Sequence, residues 1–73
     1  MKTITVIWAN EKLNCEVKRG PIFNKEIGQW GYSVIPLSIK ENRNVSSKWL
    51  FKKDQNGIRP LLFVKEDSVV NEV

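Results

Sequence analysis

The chain has 73 residues, a net charge of +4, 41% hydrophobic and 27% charged residues, which suits one small folded domain and is too apolar for disorder. It has no histidine, and Cys15 is its only cysteine. That excludes an internal disulfide, a Cys/His zinc site and a Cys–His nucleophile pair, and it removes the commonest general base. The four glycines, at 20, 28, 31 and 57, match neither the dinucleotide-binding nor the P-loop spacing. The scattered acidic residues fall on expected solvent faces, so no enzyme, cofactor or metal is expected.

In chain order, Thr3 to Ala9 is rich in β-branched residues and sets Ile4, Val6 and Trp8 on one face. Leu13 to Lys18 alternates apolar and polar, as a half-buried strand does. The polar Asn10, Glu11 and Lys12 between them predict a hairpin, since Asn tolerates positive φ. Cys15 shares the apolar side with Leu13 and Val17 and is expected to be core. Arg19, Gly20 and Pro21 punctuate the chain. Ile22, Phe23, Glu26, Ile27 and Trp30 would line one side of a short helix near 21–30 opened by Pro21. Gly28 and the brevity of the run argue against a long one, so the stretch reads as a loop with one or two helical turns.

Tyr32 to Ile39 reads as a strand with Ile35, Leu37 and Ile39 on one face, and Pro36 assigns it to an edge or a bulge. The polar stretch 41–47 is expected to be the most exposed connection. In 48–63, KWLFKKDQNGIRPLLF, Lys48, Leu50 and Lys52 alternate with Trp49, Phe51 and Lys53 ahead of Asn56-Gly57. Asn-Gly is a strong hairpin signal, and Ile58 to Val64 would return as a central strand covered on both faces. A helix from Ser47 to Gly57 ranks second, because its apolar residues are consecutive rather than three and four apart. Trp8, Phe51 and Phe63 are expected in the core.

The sum is an all-β domain over 1–66: a five-stranded SH3-like or OB-like barrel, or a strongly bent sheet, with an acidic, frayed tail at 67–73. An α+β, β-grasp-like arrangement using the 21–30 helix is the alternative. The first residues, MKTITVIWANEKLN, predict neither signal peptide nor membrane span, so cytoplasm, or a host's cytoplasm, is the expected location.

The positive charge is concentrated at 40–60, where Lys40, Arg43, Lys48, Lys52, Lys53 and Arg59 face only Glu41 and Asp54. A local positive field attracts acidic protein surfaces and polyanions alike. Trp30 and Tyr32, flanking Gly31, and Trp49, inside the basic region, are candidate aromatic anchors. The first expectation is a non-catalytic protein–protein binding module with an acidic partner, of the kind small viral or mobile-element proteins supply as inhibitors or modulators of host machinery. The second is DNA or RNA binding by the basic 40–60 region, with cations on phosphates and aromatics under bases. A third is a homo-oligomer made by edge-strand pairing.

Overall fold

A computed structural model describes residues 2–72. In β1 (Thr3–Trp8), Ile4 and Val6 point inward; in β2 (Glu11–Asn24), Leu13 and Cys15 do so. The two strands pair in antiparallel register from Thr3 opposite Glu16 to Trp8 opposite Glu11. The turn between them is the two-residue Ala9-Asn10, with φ of 50° and 66°, so the hairpin lies one residue earlier than the sequence suggested. Two successive positive φ values match the twist of the flanking strands.

β2 cannot run straight. Fourteen residues fully extended would span roughly 46 Å, yet the molecule measures 30 × 26 × 23 Å. The strand bends where its register with β3 (Gln29–Pro36) shifts, between Val17 and Arg19 and again between Arg19 and Ile22. At the second shift Gly20 has φ of 140°, and a Cβ there would sit 2.6 Å from the Tyr32 ring. No side chain fits between that backbone and the tyrosine. β2 then continues through Asn24, so the expected helix at 21–30 is replaced by a β-hairpin, and the β-grasp alternative goes with it.

β4 (Leu62–Lys65) pairs with β3, and β5 (Val69–Glu72) pairs with β1, giving one antiparallel sheet in the order β4-β3-β2-β1-β5. The expected barrel does not close. β4 and β5 are four residues each, joined by the 3-10 turn Glu66–Ser68, and they remain the two edges of the sheet. Residues 69–72, placed in the tail by the sequence pattern, are the fifth strand; residue 73 lies outside the described residues. Among the described residues, no helix is long and apolar enough to cross a membrane.

Three further expectations change. The inward residues of β3 are Tyr32, Val34 and Pro36, not Ile35, Leu37 and Ile39. β3 is an inner strand, and Pro36 ends it beyond the reach of β4, which pairs only with Gly31 to Val34, so its missing N–H interrupts no ladder on that side. Residues 48–53 form no strand: Lys48–Phe51 is a 3-10 turn that buries Leu50, exposes Trp49 and leaves Phe51 half-buried. β4 starts only at Leu62 and is an edge, with Phe63 lying over Gly31 instead of entering the core. Trp8 and Phe51 pack against the core from its margin.

The 25 residues from Leu37 to Leu61 therefore connect β3 to β4 without a strand. Their buried residues Val45 and Leu50 complete the cluster made by Ile4, Val6, Leu13, Cys15, Tyr32, Val34, Leu62 and Val64. Asn42 fastens this connection to the sheet from the 3-10 turn Ile39–Asn42. Its Oδ1 accepts the backbone N–H of Asn14 at 2.6 Å, and its Nδ2 faces the carbonyls of Asn14, Ser38 and Leu37 at 3.1, 3.3 and 3.4 Å. A buried carboxamide thus pairs with Asn14 much as a neighbouring strand would. The Asn14 side chain donates to the Glu41 carbonyl at 2.8 Å and accepts from the Thr5 hydroxyl at 2.7 Å. The Glu11 carboxylate accepts the Ser46 N–H and hydroxyl.

Three outcomes follow for urea unfolding. Ala9→Gly raises stability by about 1 kcal/mol, since a left-handed alanine is strained and glycine is not. Asn42→Ala lowers it by about 2–3 kcal/mol, because the Asn14 N–H loses its partner in a buried setting. Asn42→Asp is at least as damaging at neutral pH, since a carboxylate has no N–H to donate to the carbonyls around it.

Candidate functional site

β1 covers β2 only from Glu11 to Glu16, and β4 covers β3 only from Gly31 to Val34. Beyond those limits the β2–β3 hairpin projects as a two-stranded ribbon. Its tip is closed by the Gly28 N–H donating to the Asn24 carbonyl at 2.8 Å, with the Asn24 side chain accepting the Glu26 N–H. Gly28 has φ of 67°, a conformation glycine adopts without penalty. Phe23 and Trp30 stand opposite each other across the ribbon. Their rings meet edge to face, 5.6 Å between centroids and 66° between planes. They are nonetheless 48% and 53% exposed, and Ile27 at the tip is also open to solvent. An aromatic pair of this geometry holds its own shape with no core beneath it.

Of the sequence candidates, Trp30 thus belongs to an exposed surface. Tyr32 does not: it is buried against Gly20, with the Lys2 ammonium 5.8 Å from its ring centroid. Lys48 donates to the Val45 carbonyl at 2.6 Å and so helps to fold its own loop. Trp49 is half exposed on the 3-10 turn just before Lys52 and Lys53. Lys40 is exposed on the turn that carries Asn42. Arg43 lies beside Lys12 in a polar groove of about 390 Å3 whose walls include Asn14, Asn44 and Asn71.

Lys52, Lys53 and Arg59 are brought together. They line a shallow groove of about 470 Å3 whose apolar walls are Ile58, Pro60 and Leu61. Ile58 and Leu61 are 57% and 61% exposed. The Asn-Gly turn lies beside it inside a closed loop. Asp54 Oδ1 accepts the N–H groups of Asn56 and Ile58 at 2.8 and 2.9 Å, the Asp54 N–H donates to the Ile58 carbonyl, and the Gly57 N–H donates to the Asp54 carbonyl. The Arg59 guanidinium donates to the Pro36 carbonyl at 3.0 Å, which pins the groove to the end of β3.

The predicted surface is therefore divided. Trp30 lies near the start of β3 and the Arg59 anchor at its end, six residues or roughly 20 Å away. Sequence reasoning missed Phe23, Ile27, Ile58 and Leu61 as surface residues, because it placed the first two on a helix face and the last two in a buried strand. The usable signal was Asn24 and Gly28 bracketing the three-residue tip Lys25-Glu26-Ile27, a hairpin pattern in its own right.

Among the described residues, no three His, Cys, Asp or Glu residues are grouped to hold a metal. Cys15 is fully buried, and burial pushes its thiol up to about 12. Compared with family models, with curated proteins and with solved structures, the chain matches none of them.

The thiol supplies a prediction of its own. Native protein should resist a thiol-specific reagent that labels Cys15 at once in urea, since the reactive thiolate is suppressed in the fold. A folded-state value raised above the unfolded one means the stabilisation is complete below about pH 9 and lost as pH climbs toward about 12. Cys15→Ala should show a shallower loss of stability than the parent across that window.

Proposed function

We propose that this chain is a non-catalytic protein-binding module that grips a larger partner through the apolar end of its β2–β3 ribbon. The observation that carries the reading is the Phe23–Trp30 pair, whose rings meet edge to face while each residue stays about half exposed. Large aromatic side chains, fixed in one arrangement before binding and ringed by polar residues, are what dominate protein interfaces. The Lys25 and Glu26 side chains beside the tip carry opposite charges, which suits a protein pocket better than a polyanion. The excess of cations elsewhere on the domain would steer it toward partners with acidic surfaces. Inhibition or modulation of the partner is the expected mode of action for a domain with so little catalytic equipment.

The fold reading that accompanies this proposal is an SH3-like sheet left open. It is supported by the strand order and by the single 3-10 turn carrying β4 to β5. An OB-like arrangement has less support. A nucleic-acid role remains the second reading, favoured by Trp49, half exposed in a run with Lys48, Lys52 and Lys53.

Capture from a lysate of the source cell or its host, with and without nuclease, separates the two. The module reading expects a protein partner that survives nuclease and is lost with Trp30→Ser or Phe23→Ser, each weakening binding at least tenfold, or about 1.4 kcal/mol and more. Both variants keep their fold, checked by protection of Cys15. A partner that nuclease removes, or one indifferent to both substitutions, defeats the reading.

A further inference from the structure

We propose that the groove formed by residues 52–54 and 58–61 docks an extended acidic segment of another protein, with an aliphatic side chain of that segment resting on Ile58 and Leu61. This surface is separate from the ribbon tip, and the inference does not depend on what the tip binds.

Charge gives the first half of the argument. Lys52, Lys53 and Arg59 line the groove together with one carboxylate, Asp54, whose Oδ1 accepts two backbone N–H groups. Three cations against this one acid leave the lining with a net charge of +2, while the Asp54 carboxylate also braces the loop. Arg59 is half-buried, with one guanidinium nitrogen fixed on Pro36. Its remaining N–H groups are thereby held in a set orientation, which favours planar, two-point contact with a carboxylate. Lys52 and Lys53 are exposed and supply mobile point charges alongside.

The apolar walls give the second half. Among the described residues, Leu61 and Ile58 are the two most exposed of the large hydrophobic ones, and both belong to this groove. Covering them removes apolar surface from water, which supplies affinity that charges on a wet surface lack. No aromatic side chain lines the groove, so bases of a single strand would find nothing to stack on. An acidic peptide bearing Leu, Ile or Val uses both halves of the surface; a nucleic-acid strand uses only one. The reciprocal bonding of Asp54 with Ile58, together with the Gly57 N–H on the Asp54 carbonyl, holds the loop in shape beforehand, which lowers the ordering cost of binding.

The test measures fluorescence anisotropy with three labelled probes: a short peptide of alternating Glu and Leu, its Glu–Ser counterpart, and an oligothymidylate of matched length. The Glu–Leu peptide should bind most tightly, and less so as salt is raised. Lys52→Glu with Lys53→Glu should weaken it at least about tenfold, and Leu61→Ser about fivefold. Trp30→Ser should leave it unchanged, so the fate of the tip is read separately. Thiol protection of Cys15 reports that each variant is folded. Tighter binding of oligothymidylate than of the Glu–Leu peptide overturns the proposal in favour of nucleic acid. Concentration-dependent self-association that the Lys52/Lys53 variant abolishes overturns it in favour of a second copy. Absence of peptide binding, or equal binding by parent and variants, overturns it outright.

Discussion

The connection from β3 to β4 supplies two buried side chains to the core, yet it has no strand with which to join the sheet. What it has is the carboxamide of Asn42, which accepts the N–H of Asn14 and reaches back to its carbonyl. A carboxamide carries the same donor and acceptor as a peptide group, so one side chain can extend a ladder where the main chain has turned away. With that bond in place, Val45 and Leu50 close over Ile4, Val6, Leu13 and Val34. Without it the loop over the inner face of the sheet would be tied at its start by the Leu37 N–H on the Asn14 carbonyl and by the Asn14 side chain on the Glu41 carbonyl, and farther on through Glu11 and Arg59. In so small a domain one buried polar contact of this kind is a large fraction of the whole margin of stability.

The bend of β2 is the complementary constraint. Its first half pairs with β1 and packs Leu13 and Cys15 into the core, while its second half pairs only with β3 and leaves the sheet. One strand thus serves both the interior and the projecting ribbon. The bulges and Gly20 that turn it are what separate the exposed aromatic pair from the cationic groove. Had β2 ended at Lys18, as the alternation of Leu13 to Lys18 suggested, no ribbon would exist.

Much of the first hairpin and the buried state of Cys15 were readable from alternation alone, because both strands keep a strict period of two. The second hairpin was hidden: two register shifts break that period between Val17 and Ile22, and the residues beyond them then resemble a helical face. At 48–53 the consecutive Trp49, Leu50 and Phe51 alternate with nothing inside the triplet, and a 3-10 turn distributes them outward, inward and halfway. The burial of Asn42 and Val45 was invisible because a run of polar residues resembles solvent-facing loop until a tertiary partner is known. For the binding surfaces, the cations stood out in the sequence, but which of them converge depended on the fold. Lys52, Lys53 and Arg59 meet, whereas Arg43 lies elsewhere and Lys48 is spent on a carbonyl.

A sheet left open exposes rows of unpaired peptide groups, and such rows invite other chains to add on. Here each rim is interrupted. β4 and β5 offer only four residues apiece. The free rim of the ribbon carries Lys18 and Arg19, followed by Pro21, which has no amide hydrogen to give. Short rims broken by cations and a proline disfavour the addition of one copy upon another into fibrils, even with sticky rings at one extremity.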